Sequence, residues 1–369
     1  MDADGIRIGI VGCGGFARFA VTRFLEVPGA SVTAMSEPDP RAAQLGADAF
    51  GIPNVADTET LAARDDVDLV YVATPPALHH PQALAALRAG KHVIVEKPLT
   101  VTVEQADELI RVAHERDCLL VVNLMQRYNP VYDAVQRVLE SKLLGDPLHG
   151  FFENYASDEQ LSPEHWFWNP ELSGKIFVEH GVHFFDMFEG WLGRGRIVAA
   201  QASRRSGGQE DQVNCTIEYP GGVFANHYHG FTQPGRCDRQ TFRILCERGE
   251  ITLHEWVPTR MIVRTLATNA ELSQLQALLP GARSEKVATY TGDERQTGGR
   301  HKRFEVDCLA ELTLGEGTDK MARYGEILQG MFTDQLAWIR DHSHQRKVTE
   351  ENGRRSIELA VAATDLAAG

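Results

Sequence analysis

A glycine-rich turn directly after an apolar strand constrains the fold of this chain more than any other feature. The run Ile6–Val11 is typical of a buried strand, and Gly12, Gly14 and Ala17 then occupy the small positions of the pattern G-x-G-x-x-A. The first glycine allows a tight bend, the second lets the backbone approach a pyrophosphate at the helix N-terminus, and the third small residue allows close helix–strand packing. The turn predicts a dinucleotide site. Its predicted contacts are Gly12, Gly14, Gly15, Phe16 and Ala17.

Short β-rich runs and longer helical runs alternate along the first third of the chain. Strict alternation of this kind predicts a parallel sheet with helices on both faces, which is a doubly wound Rossmann domain. We place this domain at residues 1–122. The predicted strands are Ile6–Val11, Ser31–Met35, Leu69–Ala73, His92–Val95 and Leu119–Val122, and the predicted helices are Phe16–Glu26, Arg41–Phe50, His80–Ala89 and Val103–Arg116.

The alternation of strands and helices stops beyond residue 122. The 369 residues are enough for about two domains. Strand-like runs follow one another with glycine-rich turns and no regular helical crossover, which predicts an antiparallel sheet in an α+β domain at 123–369. The stretch 267–321 has no assignable pattern. The predicted strands are Gln212–Tyr219, Val223–Phe231, Thr241–Cys246 and Met261–Thr265, and the helices are Val131–Leu143, Tyr324–Asp341 and Glu350–Leu366.

Charge and apolar run length exclude several classes of partner. Lys and Arg number 37 against 51 Asp and Glu, and the formal charge of −14 repels nucleic-acid phosphates. No apolar run approaches the ~20 residues that span a bilayer, and the acidic start of the chain lacks the features of a secretory signal. The six cysteines have no zinc-site spacing, which is typical of a reducing compartment. We expect a cytoplasmic protein without nucleic-acid or membrane partners.

Glu37 ends the second predicted strand about 20 residues after the glycines, where an acidic side chain hydrogen-bonds a ribose 2′-hydroxyl and repels a 2′-phosphate. This favours NAD over NADP. The neighbouring Ser36 could accommodate a phosphate, which leaves NADP open.

Several downstream segments resemble one enzyme family. The segments are Glu96-Lys97-Pro98-Leu99, Ala73-Thr74-Pro75-Pro76 with His79, Gln126-Arg127-Tyr128-Asn129-Pro130 and Glu351-Asn352-Gly353-Arg354-Arg355. Together with the glycine turn they resemble the Gfo/Idh/MocA family, named after glucose–fructose oxidoreductase, inositol dehydrogenase and rhizopine catabolism. The resemblance implies a Rossmann domain, a second domain with a large, mostly antiparallel sheet, and an active site between them. It also implies a homodimer or homotetramer formed through the open sheet face.

The resemblance further implies hydride transfer between nicotinamide and a carbon of a sugar or cyclic polyol. Lys97 would touch the reacting hydroxyl, and Pro98 would fix its backbone. Arg127 and Tyr128 would lie at the domain junction and contact cofactor or substrate. The predicted cofactor contacts outside the glycine turn are Glu37, Thr74, Pro75, His79, Glu96, Lys97 and Arg127.

A helical segment carries the remaining catalytic candidates. At 3.6 residues per turn, Glu179, His183 and Asp186 fall on one face, and the opposite face is apolar. The family motif D-x-G-x-H-x-x-D lands on Glu179, Gly181, His183 and Asp186, which makes His183 the general base. Imidazole suits this role because its unperturbed pKa is close to neutral, and we expect the nearby carboxylates to raise that pKa while charged Lys97 restrains the rise.

Two residues depart from the family pattern. Glu179 stands where Asp is more common, and Lys175 stands where a second glycine is usual. The lysine adds bulk and charge near the expected nicotinamide face. We expect these departures to alter the choice of substrate before they abolish the chemistry.

Aromatic and imidazole side chains are the candidates for further substrate contacts. Aromatic faces stack on sugar C–H surfaces, so Trp166, Trp168 or His165 could line the pocket, although a buried aromatic plug has the same pattern. His227 and His229 share one strand face and could equally be structural. A metal site is not predicted, because His180 projects about 100° from Glu179 and no H-E-x-x-H pattern is present. The predicted substrate contacts are Lys97, Tyr128, Trp166, Lys175, Glu179, His180 and His183.

These observations predict an NAD(P)-dependent oxidoreductase acting on a sugar, inositol or related polyol, with Lys97, His183 and Glu179 as catalytic residues. Two alternatives stay open. One is a glycoside hydrolase that oxidises its substrate transiently with NAD, eliminates the aglycone and returns the hydride. The other is a nucleotide-binding regulator without turnover.

Overall fold

A five-stranded parallel sheet forms the first half of the molecule in the computed structural model, which describes residues 5–159, 161–204 and 208–368. The strand order is β2-β1-β3-β4-β5, as in a doubly wound fold. Its strands are β1 (Ile6–Val11), β2 (Ala30–Ser36), β3 (Leu69–Val72), β4 (His92–Val95) and β5 (Leu120–Val122), and its helices are α1 (Gly15–Phe24), α2 (Pro40–Phe50), α3 (Thr58–Ala62), α4 (His79–Arg88) and α5 (Val103–Glu115).

The strand order reverses direction between β1 and β3, and ligands of open α/β sheets bind in the crevice at such a point. The turn after β1 therefore lies beside the Ala73–Pro76 loop after β3. The predicted Rossmann sheet is confirmed.

A nine-stranded sheet forms most of the second half, in the order β13-β16-β12-β11-β10-β6-β9-β8-β7. Its described pairs are antiparallel except for β6 with β9, so the predicted large, mostly antiparallel sheet is confirmed. Its strands are β6 (Pro147–Ser157), β7 (Arg196–Arg204), β8 (Glu210–Tyr219), β9 (Val223–Gln233), β10 (Arg239–Cys246), β11 (Gly249–His254), β12 (Arg260–Ala267), β13 (Arg283–Thr289) and β16 (Cys308–Leu314), and β14 (Gln296–Gly298) pairs separately with β15 (Arg303–Glu305).

Six helices complete the described chain, and a π-helical turn, Phe177–Gly181, directly precedes one of them. They are α6 (Pro130–Ser141), α7 (Pro170–Ser173), α8 (Val182–Leu192), α9 (Asn269–Leu278), α10 (Lys320–Arg340) and α11 (Glu350–Ala368). The stretch 267–321, which had no assignable pattern, holds α9 and the strands from β13 to β16.

Packing crosses from one half of the chain to the other. The ring of Phe332 on α10 stacks on Phe24 of α1 with centroids 4.5 Å apart, so α10 belongs to the core of the parallel sheet. The division into 1–122 and 123–369 therefore stays a prediction. No helix among the described residues is long and apolar enough to cross a bilayer.

The face of the nine-stranded sheet opposite α8 exposes apolar side chains. Phe224 of β9 and Leu245 of β10 are 45% and 41% exposed and flank the same residue of β6, His149. The expected dimer or tetramer would cover this face, and the oligomeric state stays a prediction.

Candidate active site

The glycine turn is shaped to receive a phosphate group. Gly12 has φ +81°, and a Cβ there would lie 2.7 Å from the carbonyl oxygen of Ala73, so a side chain is excluded. A Cβ on Gly14 or Gly15 would meet no described atom within 4 Å, which leaves open space in front of the first backbone N–H groups of α1. Because these groups and the helix dipole attract anions, the turn fits a dinucleotide pyrophosphate. Phe16 is 36% exposed at the same end of α1.

Glu37 stands beside this turn at the end of β2. Its carboxylate accepts the backbone N–H groups of Cys13 at 2.6 Å and Asp39 at 2.8 Å. The carboxylate therefore lies against the glycine turn, where the ribose of a bound dinucleotide is expected.

We expect Glu37→Ala to weaken NAD binding about tenfold and NADP binding by less, because only the 2′-hydroxyl of NAD can use the charged acceptor. Both cofactors should lose some affinity, since Glu37 also orders the turn through Cys13. Calorimetric titration with each cofactor measures the ratio, and Glu59→Ala on α3 is a matched exposed control. Equal weakening of the two cofactors would contradict a ribose contact.

His79 joins two loops at the carboxyl end of the parallel sheet. Its ring is fully buried between two carbonyl oxygens, with Nδ1 2.6 Å from Pro98 and Nε2 2.8 Å from Thr74. Burial lowers the pKa of His79 to about 4. The side chain therefore ties the loop after β3 to the loop after β4, and its predicted cofactor contact stays a prediction. The Thr74 side chain lies beside Gly12, and the cofactor contacts predicted for Thr74 and Pro75 also stay predictions.

Glu96 and Lys97 end β4 and differ in environment. The Glu96 carboxylate is buried and accepts the hydroxyl of Tyr71 at 2.6 Å and the amide of Asn123 at 2.7 Å, and burial raises its pKa. Lys97 precedes a cis peptide bond to Pro98, and its Nζ donates to the carboxylate and to the backbone carbonyl of Glu179, the latter at 2.9 Å. Lys97 therefore links the carboxyl end of the parallel sheet to the π-helical turn.

The segment that holds the other candidates is not one regular α-helix. Phe177–Gly181 forms a π-helical turn and α8 begins at Val182, so the 3.6-residue spacing assumed from Glu179 onward is wrong. The polar face is also not solvated. Glu179, His183 and Asp186 are only 8%, 4% and 4% exposed.

His183 is held as a neutral imidazole. Its ring centroid lies 6.0 Å from that of Trp256, and its Nδ1 has no hydrogen-bond partner among the described residues. Burial and the charge of Lys97 hold the pKa of His183 well below its usual range. The expected rise of that pKa is therefore wrong. The physical reason is that each neighbouring carboxylate is already paired with a cation, Glu179 with Lys97 and Asp186 with Arg127.

Arg127 is fully engaged by α8 and α6. Its Nε and Nη2 donate to the two carboxylate oxygens of Asp186 at 2.7 and 2.9 Å, and its Nη1 donates to the hydroxyl of Tyr132. Asn352 of α11 donates to the same carboxylate at 3.2 Å. Arg127 therefore fixes α8 through this fork, and its predicted cofactor contact stays a prediction.

Tyr128, whose predicted substrate contact stays a prediction, is bonded to α10. Its hydroxyl donates to Asp334 on α10 at 2.6 Å and accepts from Gln335 at 3.0 Å. Burial, followed by the hydrogen bond to Asp334, raises the pKa of this phenol. Tyr128 therefore fastens α10 to the loop after β5.

Trp168, rather than Trp166, lines a cavity beside the π-helical turn. The cavity has a volume of about 190 Å³ and is also lined by Phe167, Lys175 and Arg204. Trp166 lies outside the described lining and packs its ring on His165, with centroids 5.2 Å apart. Of the predicted substrate contacts, Lys175 is the one that lines this cavity.

Three histidines, His180, His227 and His229, lie near the catalytic candidates. His227 and His229 are 0% exposed, and none of their ring nitrogens has a described hydrogen-bond partner. Nε2 of half-buried His180 also lacks one. The His180 and His229 rings lie edge to face at 5.4 Å. The ring nitrogens of His227 and His229 therefore lack protein partners among the described residues, and the structural or cleft-facing role of these two histidines stays a prediction. The described residues contain no group of three or more side chains suited to a metal ion.

Sequence reasoning missed polar side chains of the nine-stranded sheet that lie beside these histidines. Asn154 of β6 is paired in register with His229 of β9 and with Gln240 of β10, and its side-chain oxygen and that of Gln240 lack described partners. Trp256 and Gln126 were also missed. Only strand register could have found this row, because its members are far apart in sequence.

A glycine turn suited to a pyrophosphate at the switch point of a parallel sheet, together with half-buried Lys97 and buried Glu179 and His183, is typical of a nucleotide-dependent oxidoreductase. Residues 6–124 match the profile of the oxidoreductase family with an NAD-binding Rossmann fold, and residues 132–252 match that of the GFO/IDH/MocA C-terminal domain. The chain belongs to the Gfo/Idh/MocA family. The predicted family, enzyme class and nicotinamide cofactor are confirmed.

Characterised relatives include sugar reductases. The chain is 31% identical over 236 residues to 1,5-anhydro-D-fructose reductase of Ensifer adhaerens, covering 61% of this chain and 69% of that protein. It is 28% identical over 307 residues to a dTDP-3,4-didehydro-2,6-dideoxy-alpha-D-glucose 3-reductase of Saccharopolyspora spinosa, covering 79% and 91%. The WlbA dehydrogenase of Bordetella pertussis, solved with NADH and UDP-GlcNAcA, has the same fold, with a TM-score of 0.79 over 100% of this chain and 97% of that chain at 18% identity.

Proposed function

We propose that this enzyme transfers a hydride between nicotinamide and a hydroxyl-bearing carbon of a sugar, inositol or related polyol. The observation that carries the proposal is the contact of Lys97, at the carboxyl end of the parallel sheet, with Glu179, which is followed by neutral His183. Lys97 follows the carboxyl end of β4, where open α/β sheets bind their ligands, and this supports the proposal.

The protein's part in the reaction follows from the charges of these groups. The bound nicotinamide supplies the hydride acceptor in oxidation and the hydride donor in reduction. His183, neutral at pH 7, can take the hydroxyl proton of the substrate. The Lys97 ammonium can stabilise the negative charge that develops on the same oxygen. Glu179 positions Lys97, and the paired Arg127 and Asp186 hold α8 and hence His183.

The lowered pKa of His183 has a function in the proposed reaction. A buried imidazole with a depressed pKa stays unprotonated when substrate arrives, and it releases its proton readily once the alkoxide has collapsed to a carbonyl. The charge of Lys97 contributes to the lowered pKa of His183, and it would also lower the pKa of a substrate hydroxyl placed beside it.

The test is reduced-nicotinamide absorbance with NAD, and separately NADP, across aldoses, inositols, sugar acids and aryl glycosides. We expect absorbance at 340 nm with at least one free polyol, and its loss in Lys97→Ala. Aglycone release from a glycoside without net cofactor reduction would instead support the NAD-recycling hydrolase. Cofactor binding without turnover of any compound would contradict the proposal.

A further inference from the structure

Lys175 has a backbone conformation that a lysine avoids. Its φ is +72°, in the left-handed region that glycine adopts freely and that other residues adopt at a cost. Residues held in such conformations concentrate where the side chain has a function. Lys175 lies two residues before the π-helical turn that contains Glu179, so its strain is close in sequence to the candidate active site.

The side chain of Lys175 lines the cavity described above. Phe167 and Trp168 form an aromatic wall with rings 4.9 Å apart and at 89° to one another, and Arg204 of β7 lines the same cavity. Glu210 is the acidic residue of the described lining, so its charged side chains sum to a net positive charge. An aromatic wall with a positive charge is suited to a sugar ring that carries an anion.

The cations of this cavity are free to bind a ligand. Neither Lys175 nor Arg204 forms an ion pair with any side chain that the structure describes. Lys142 differs in this respect. It also has a left-handed backbone, with φ +57°, but it ends α6 at the surface and pairs with Asp146 at 2.9 Å. Lys142 therefore provides a matched control for Lys175.

The cavity adjoins the turn that holds Glu179. Ile176 lines the cavity and directly precedes the π-helical turn Phe177–Gly181. Phe231 contacts both regions, since its ring lies 4.8 Å from that of Phe167 in the cavity wall and 5.0 Å from that of His180 in the turn. We therefore expect a substrate whose reacting carbon is at Lys97 and His183 to reach the cavity with one of its substituents.

We propose that this cavity binds a carboxylate or phosphate substituent of the substrate, with Lys175 as the residue that determines this specificity. The inference rests on the proposed function and narrows its substrate class to anionic sugars. A volume of about 190 Å³ is below the ~300 Å³ at which pockets for larger ligands begin. It holds one sugar ring or its charged arm, and a whole nucleoside diphosphate does not fit inside it.

The probes are D-glucuronate, D-glucose 6-phosphate and D-glucose, which share a ring and differ in charge. Tryptophan fluorescence of the cofactor-free protein reports binding, and Trp168→Phe identifies the signal from the cavity wall. The variants are Lys175→Met, Lys175→Arg, Lys175→Gly and, as the control, Lys142→Gly. For whichever sugars are turned over, the ratio of kcat/KM for the anionic and neutral members is measured in parallel.

We expect an anionic probe to bind at least about tenfold more tightly than glucose, about 1.4 kcal/mol, and Lys175→Met to remove most of that preference. Lys175→Arg should restore it, and Lys142→Gly should leave it unchanged. Lys175→Gly should lose it with a thermal midpoint at or above that of the unchanged protein, which separates loss of binding from loss of fold. Preference for glucuronate alone or phosphate alone identifies the anion.

Equal affinity for the three probes, or a preference unaffected by Lys175→Met, would overturn this inference. If either of these outcomes is found but neutral sugars are turned over, the proposed function stays intact. Conversely, an anion preference that depends on Lys175, without hydride transfer to or from any compound, would keep the binding site and overturn the proposed function.

Discussion

Replacing His183 with alanine should lower kcat by about 10²–10⁴-fold, the usual contribution of a positioned general base. The hydroxyl proton then has no acceptor, because Lys97 donates to Glu179 and carries a proton already. Nicotinamide affinity should stay the same, since the glycine turn and Glu37 do not contact α8. Steady-state kinetics and calorimetric titration of the cofactor measure the two effects on the same preparation.

His301→Ala is the control, because His301 is exposed and far along the chain from the site. Lys97→Ala should be at least as damaging, since it also leaves the Glu179 carboxylate buried without its partner. The double variant should lose little beyond the worse single variant, because groups that act as one unit are not additive. Unchanged turnover in His183→Ala would remove this residue from the mechanism.

Lowering the pH from 7 to 5 should destabilise the fold by several kcal/mol. The folded-state pKa is about 4 for His79 and about 3 for His227, against 6.5 for the free side chain, and burial is the main cause of both. Below pH 6.5 the unfolded chain therefore binds more protons than the folded chain, so stability falls with pH. Each histidine contributes about 1.4 kcal/mol per pH unit in this window, and the two together about 3–4 kcal/mol by pH 5.

Urea unfolding at pH 8, 7, 6 and 5 measures this dependence. His227→Leu, which keeps an apolar side chain among Phe152, Phe185 and Phe188, should remove about half of the slope below pH 6.5 that His79 and His227 produce. His301→Leu, at an exposed position, should leave the slope unchanged. A slope that His227→Leu does not alter would mean that this histidine is already protonated or hydrated in the folded protein.

Local patterns predicted most of the first half of the molecule. The glycine turn, the β1 strand and the alternation that follows depend on neighbouring residues, and the structure confirms the sheet that they imply. The antiparallel strands of the second half were likewise visible as runs with turns between them. Residues 267–321 were not, because their strands are defined by pairing, β16 with β12, β13 with β16 and β14 with β15, and by little in their own sequence.

Side-chain partners across long distances could not be predicted. The sequence singled out Arg127 and Tyr128, but it could not identify their partners Asp186 and Asp334, which lie 59 and 206 residues away. The period of two correctly put His227 and His229 on one strand face. It could not show that the face is sealed by the aromatic side of α8, nor that a π-helical turn shifts Glu179 relative to His183.

Helix α11 braces the parallel sheet and α8 from a single element. Its Gly353 packs on Val122 of β5 and on Leu99, and its Asn352 and Arg355 bond Asp186 and Glu189 of α8. Because one helix carries both sets of contacts, a displacement of α11 would be transmitted to the sheet and to α8 together. A substitution that shifts α11 would therefore change the position of His183 without touching it.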